Sequence, residues 1–214
     1  MMTKRGRFIV VEGLEGAGKS TAIQTIKEYL ESFLPEILLT REPGGTRVGE
    51  IIRKLIKEKI NEETLDARAE LLLFYAARVQ LLEQVIYPAL NRGQWVLADR
   101  FELSTYAYQG GGRHLDENMI SALSSFCLKD FKPDLVIFLD IDPEQGMHRV
   151  KQRGATDRME EEALSFFTDV YNSYHRMIKT MDNVVCIDAS QPLEMVQKSI
   201  IMQLQTFIAH NAIA

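Results

Sequence analysis

Gly13-Leu14-Glu15-Gly16-Ala17-Gly18-Lys19-Ser20 follows the pattern G-x-x-x-x-G-K-[ST], and its surroundings decide the fold. Arg7-Phe8-Ile9-Val10-Val11-Glu12 before it reads as a short buried strand, and Thr21 to Phe33 after it reads as a helix. Strand, glycine-rich turn and helix together make a phosphate cradle. Glycines let the backbone curl around an anion with no Cβ in the way. The N–H groups of residues 13–18 point inward, and the helix that follows presents its positive end. Lys19 adds a point charge for the β- and γ-phosphates, the Ser20 hydroxyl can hold Mg²⁺, and Thr21 sits in the first helical turn. Nucleotide binding follows from this stretch alone.

Working outward, strand-like and helix-like segments alternate. Strands are expected at Phe8–Val11, Ile37–Thr40, Trp95–Ala98, Asp134–Asp140 and Val184–Asp188. Helices are expected at about Val48–Lys59, Leu65–Leu90, Asp116–Leu128, Pro143–Gln152, Glu160–Met181 and Leu193–Ala209. In the long helix Leu72, Ala76, Val79, Leu82 and Ile86 recur at helical spacing. Gly110-Gly111-Gly112 reads as a turn. Five β-type runs separated by helices imply an α/β fold, a five-stranded parallel sheet in a three-layer α/β/α arrangement. Ligands of such sheets lie beyond the carboxyl ends of the strands. That rule gathers the phosphate loop, Arg41-Glu42, Asp99-Arg100, Asp140 with Asp142, and Asp188-Ala189-Ser190 on one edge. Asp99 there can hold Mg²⁺, and Arg100 can fork onto an acceptor phosphate.

The chain has 214 residues, enough for one α/β domain with a sizeable core, and no linker or repeat divides it; residues 1–214 are expected to be one domain. A net charge of −5 gives no support for a nucleic-acid polymer as partner. Its apolar runs are too short to span a bilayer, so no membrane association is expected. The basic lead-in Met1-Met2-Thr3-Lys4-Arg5-Gly6-Arg7 lacks the apolar region of a signal peptide. Cys127 and Cys186 lie in apolar surroundings and read as reduced core thiols of a cytoplasmic protein. Four scattered histidines show no metal-ligand spacing.

Asp99-Arg100-Phe101-Glu102-Leu103-Ser104-Thr105-Tyr106-Ala107-Tyr108-Gln109-Gly110-Gly111-Gly112-Arg113 resembles the signature of thymidylate kinases. Arg41-Glu42-Pro43-Gly44-Gly45-Thr46 resembles that family's second loop, and Leu73-Phe74-Tyr75-Ala76-Ala77-Arg78 its thymine-binding helix. These motifs run in the family's order from residue 8 to about residue 190. The resemblance implies the P-loop kinase fold and ATP-dependent phosphorylation of dTMP to dTDP, with Mg²⁺. It implies that Phe74 stacks on thymine and Arg78 bonds its 4-carbonyl; four residues apart on a helix, the two share a face. It places Arg41, Glu42, Pro43, Arg100, Ser104, Thr105 and Gln109 around the acceptor, with Tyr108 or Tyr106 against a ribose 2′-hydroxyl. Glu15 is implied to face the sugar 3′-hydroxyl. His148-Arg149-Val150-Lys151-Gln152-Arg153-Gly154-Ala155-Thr156-Asp157-Arg158 resembles the lid over ATP, here about 149–160. This chain has Gly16 where some members carry a loop arginine. It follows the bacterial type, whose lid arginines, here Arg153 and Arg158 beside the ATP-binding Arg149, supply charge to the γ-phosphoryl. Phe101 departs from the His or Tyr of many members. A homodimer through the 65–90 helix and its neighbours is also implied.

Catalysis of this kind needs alignment and charge neutralisation by Lys19, Mg²⁺, Arg100 and the lid arginines, with no covalent intermediate. A kinase for another nucleoside monophosphate is the nearest rival, and the Phe74/Arg78 pair argues against purine and cytosine acceptors. A GTP-dependent switch would need an N/T-K-x-D string, which the chain lacks.

Overall fold

A computed structural model describes residues 5–58, 63–154 and 157–210. Met1–Lys4 of the basic lead-in, Lys59 at the expected end of the second helix, and lid residues 155 and 156 lie outside the described residues. Five strands form one parallel sheet: β1 (Phe8–Gly13), β2 (Ile37–Arg41), β3 (Trp95–Asp99), β4 (Leu135–Asp140) and β5 (Val184–Asp188), in the order β2-β3-β1-β4-β5. Chain direction around the sheet changes at β1, so the loop after β1 lies at the point where ligands of such sheets bind. Successive residues of a strand face opposite sides, yet Phe8, Ile9, Val10 and Val11 are all buried. Both faces are therefore covered, which gives the three α/β/α layers.

The covering helices are α1 (Lys19–Glu31), α2 (Arg47–Lys57), α3 (Ala67–Leu81), α4 (Tyr87–Asn91), α5 (Glu102–Thr105), α6 (Glu117–Leu128), α7 (Pro143–Arg153), α8 (Leu164–Ile178) and α9 (Leu193–His210). Helices α1 and α9 pack on one another and on the sheet. The side chains of Thr46, Asp66, Asp116 and Asp142 accept backbone N–H bonds at the starts of α2, α3, α6 and α7, as N-caps should.

Four expectations are corrected. The helix expected from Leu65 to Leu90 contains a π-helical stretch at Leu82–Ile86, just ahead of Pro88, whose ring cannot continue an ordinary ladder. Of the apolar residues at helical spacing, Leu82 and Ile86 are buried, whereas Leu72 is 56 % exposed and its place towards the core is taken by Leu71, Tyr75 and Arg78. Gly110-Gly111-Gly112 is no turn but the end of a second π-helical stretch, Tyr106–Gly112. There the glycines answer to close packing: a Cβ on Gly112 would lie 2.4 Å from the Phe166 ring, and one on Gly111 2.6 Å from Ser173 Cβ. Helix α8 begins at Leu164 rather than Glu160, because Asp157 folds the preceding segment into a turn by accepting the N–H groups of Met159 and Glu160. Finally, Cys186 is exposed on β5 and only Cys127 is partly buried; both are free thiols.

Candidate active site

Beyond the carboxyl ends of β1, β2 and β3 opens a cavity of about 690 Å³. Its floor is the phosphate loop. Gly18 caps α1 in the left-handed conformation. Gly16 is also left-handed, and a Cβ there would lie 2.1 Å from the Gly146 carbonyl, so the loop can lie against α7 only with glycine at 16. Lys19 Nζ donates to the carbonyls of Gly13 (3.1 Å) and Leu14 (2.8 Å), which holds its charge over the loop. Burial, with the nearby Arg100 charge, pushes the Lys19 ammonium down to about 8. Ser20 and Thr21 line the same space.

Asp99 and Arg100 enter at the end of β3. Asp99 Oδ1 is buried with no hydrogen-bond partner. An orphaned carboxylate oxygen in a cavity shared with the Ser20 hydroxyl suits Mg²⁺, which takes one or two protein ligands and draws the rest from phosphates and water. Among the described residues no cluster of three or more His, Cys, Asp or Glu could form a metal cage. Arg100 adopts a left-handed backbone, φ +67°, rare for a side chain larger than glycine. Its guanidinium donates to Glu15 (2.7 Å), Tyr108 (3.1 Å), Ser104 (3.1 Å) and Tyr174 (3.2 Å). Glu15 also accepts from the Tyr108 hydroxyl. Burial opposes the Glu15 charge, but Arg100 and Lys19 outweigh it and hold the carboxyl below its ordinary range. Tyr108 lines the cavity, whereas Tyr106 turns its hydroxyl towards Ser121 and Ser124.

A second group of residues is built around Arg78, whose side chain is 1 % exposed. Its Nε donates to Glu42 Oε2 (2.7 Å) and one terminal nitrogen to the Thr105 hydroxyl (2.9 Å). The other terminal nitrogen is buried with no partner, as is Glu42 Oε1. A buried donor left unpaired in a ligand-sized cavity is a place for a ligand acceptor. The guanidinium lies over the rings of Tyr75 (4.9 Å) and Phe101 (5.3 Å). Phe101 thus gives the arginine an apolar platform. Burial raises the Glu42 carboxyl, with the Arg78 charge opposing. Phe74 lines the cavity wall and packs on Ile52 and Ile56 of α2. Gln109, fully buried, donates to Glu70 (2.8 Å). Pro43 lines the cavity; Arg41 does not, and pairs with Glu50 (2.9 Å) at the surface.

Around α7 and the turn that follows it the arginines are held less closely. Arg149 reaches the carbonyls of Ala189 (3.1 Å) and Gly16 (3.4 Å), bridging the phosphate loop to the loop after β5. Arg153 lines the cavity and pairs with Glu160. Arg158 does not line it: its guanidinium is held by Glu70 and by the Ile56 carbonyl (2.8 Å).

Three participants escape sequence reading. Arg53 lines the cavity and donates to the Pro43 carbonyl (2.9 Å). Glu70 gathers Gln109, Arg113 and Arg158. Glu12 sits fully buried beneath Arg100. Glu12 left a signal, a charge closing an apolar strand; Arg53 and Glu70 look like ordinary polar helix residues.

A family model described as thymidylate kinase matches residues 11–200 of the chain. A thymidylate kinase of Legionella pneumophila (strain Corby) is 56 % identical over 99 % of this chain and all of its own length. A second, from the Paris strain, is 54 % identical over the same shares. A thymidylate kinase of Pseudoalteromonas translucida is 49 % identical over 96 % of this chain and 98 % of its own. With the phosphate loop, the Asp99-Arg100 end of β3 and the Arg78 pocket in one cavity, the chain belongs to the thymidylate kinase family.

Proposed function

We propose that this cavity transfers the γ-phosphoryl group of ATP to dTMP, giving dTDP and ADP. The observation that carries the reading is the buried, unpaired Arg78 nitrogen in the same cavity as the phosphate loop. The two substrates lie end to end. ATP phosphates take the backbone N–H groups of residues 13–18, Lys19 and Arg149. Thymine stacks on Phe74, and its 4-carbonyl takes the free Arg78 donor. Cytosine offers an amino group there, so two donors would face each other, which disfavours it. Glu42 and Thr105 hold the guanidinium; Pro43 and Gln109 close the pocket. Tyr108 lies where a ribose 2′-hydroxyl would need room, and Glu15 suits the 3′-hydroxyl. Arg100, assisted by Ser104, meets the acceptor phosphate. Arg41 would join only from its present surface pairing.

Ser20 and Asp99 would hold Mg²⁺, which supplies charge neutralisation between the phosphates. The acceptor is already a phosphate oxygen, so this chain has no proton to remove before attack; its task is alignment and charge. Lys19 and Arg100 meet the phosphates from opposite ends. Arg153 is closest to supplying the charge a loop arginine would give, and Arg158 would have to exchange Glu70 for the nucleotide.

The single sheet supports reading residues 1–214 as one kinase unit. Leu72 on α3 and Met119 and Phe126 on the adjoining α6 are 56 %, 61 % and 82 % exposed, an apolar face that supports a homodimer through these helices. Among the described residues no helix is long and apolar enough to cross a membrane. The free thiols suit the reducing cytoplasm.

An ADP-release assay with MgATP over a panel of nucleoside monophosphates tests the reading. dTMP should be the best acceptor, dUMP weaker and purine monophosphates barely used. Equal or better turnover of GMP or CMP would sink the assignment.

A further inference from the structure

We infer that Glu12 is a positioning residue for the reaction: its carboxylate holds the left-handed turn at Arg100 that aims the guanidinium into the cavity. Helix α5 starts with no side-chain cap of its own, since the residue at its N-cap is Phe101. Glu12 supplies the cap from the neighbouring strand. Its Oε1 accepts the N–H groups of Phe101 (2.9 Å) and Ser104 (3.3 Å), the first residues after the turn. Its Oε2 accepts the hydroxyls of Ser104 (2.6 Å) and Tyr174 (2.9 Å). These same two hydroxyls accept hydrogen bonds from Arg100. One fully buried carboxylate therefore fixes the backbone immediately after Arg100 and orients two side chains that touch its guanidinium.

The chemistry requires an acceptor on the backbone side. Four donors converge on two oxygens, so a side chain without oxygen there leaves buried N–H groups unpaired. Because φ at Arg100 is +67°, release of the cap lets the segment relax to an ordinary conformation, which swings the side chain away. Burial raises the Glu12 carboxyl, and the Arg100 charge is the largest influence opposing that rise. Glu12 directly precedes Gly13, so one residue ties the acceptor arginine to the donor's phosphate loop. Misplacement of a reacting group by about 1 Å costs on the order of 10²-fold in rate, which sets the expected scale.

The inference rests on the reading of Arg100 as the acceptor-phosphate cation, so Arg100→Ala is measured alongside. Steady-state kinetics in dTMP and in ATP are compared for Glu12→Gln, Glu12→Asp and Glu12→Ala, with melting temperatures. Glu12→Gln keeps an oxygen for the two N–H groups, and the hydroxyls can turn to accept from its amide nitrogen. It should stay within about tenfold of wild type in kcat/KM for dTMP. Glu12→Asp keeps the charge but is one methylene too short, and should lose on the order of 10²-fold, with KM for ATP changed by less than about threefold. Glu12→Ala, where it folds, should resemble Glu12→Asp. Glu12→Asp outperforming Glu12→Gln would overturn the inference in favour of a role for charge. So would parallel rises in both KM values, which mark general loosening of the site. If Arg100→Ala is impaired while Glu12→Asp is normal, positioning by Glu12 fails and the reading of Arg100 survives. If Arg100→Ala is itself normal, both fail.

Discussion

Arg78 and Arg153 serve one cavity from opposite surroundings. Arg78 and its partner Glu42 have side chains 1 % and 3 % exposed, and rings cover the guanidinium. Arg153 is 62 % exposed and holds the Glu160 carboxylate across a turn. Arg100, 16 % exposed in a network of four partners, belongs with Arg78. A buried ion pair is costly to form and more costly to break singly, so its geometry is set before any ligand arrives. An exposed pair contributes little and is easily exchanged for a phosphate. The surroundings of Arg78 and Arg100, the proposed acceptor half of the cavity, are thus preformed, while Arg153, in the proposed lid half, can exchange its partner. For the proposed reaction this division would let the Arg78 end choose its acceptor by shape and hydrogen bonding, while the Arg153 end exchanges its partner as the donor binds and leaves.

Lys19 stands where the halves meet, and its loss should have the largest effect. Lys19→Ala should lower transfer by about 10³-fold or more while the circular dichroism spectrum stays native. Substantial residual activity would mean that the loop is not the donor site. The lid comes next. Arg153→Ala should lower kcat by on the order of 10²-fold with little change in KM for dTMP. Arg158→Ala should lower kcat by less, roughly tenfold, because Arg158 must first leave Glu70. Near-normal kcat in both variants and in the double variant would move the catalytic charge elsewhere.

The Lys19 ammonium adds a pH test. In the free protein it titrates at about 8, so above that pH it is increasingly neutral, and binding ATP must restore its proton. ATP affinity should be flat below about pH 8 and fall by up to about tenfold per unit above it, with proton uptake on binding. Calorimetry in two buffers of different ionisation enthalpy measures both. Constant affinity to pH 9.5 with no proton uptake would contradict a Lys19 held down by burial.

Legibility in the sequence followed the same division. The phosphate loop was readable because glycine spacing, strand and helix all report one local event, and the five strands because their apolar runs are short and separate. Phe74 and Arg78 were readable as a pair on one helix face. Packing between distant segments was not: Gly111 and Gly112 look like a turn until Phe166 and Ser173, more than fifty residues away, are seen against them. Nor was pairing. From sequence, Arg78 is either a base donor or a salt-bridge residue; in the fold it pairs with Glu42 and still keeps a nitrogen free. Arg78→Ala should therefore reduce thermal stability as well as dTMP recognition, and melting temperature alone cannot separate the two roles.

The most direct test of the preformed acceptor half is calorimetric titration of dTMP and dCMP into the protein with no ATP present, in wild type and in Arg78→Ala. One hydrogen bond in a closed pocket is worth about 1–3 kcal/mol, so wild type should bind dTMP roughly five- to 150-fold more tightly than dCMP before any donor is bound. In Arg78→Ala that ratio should collapse towards one. Wild-type protein that binds neither nucleotide until ATP is added, or binds both equally, would contradict the account.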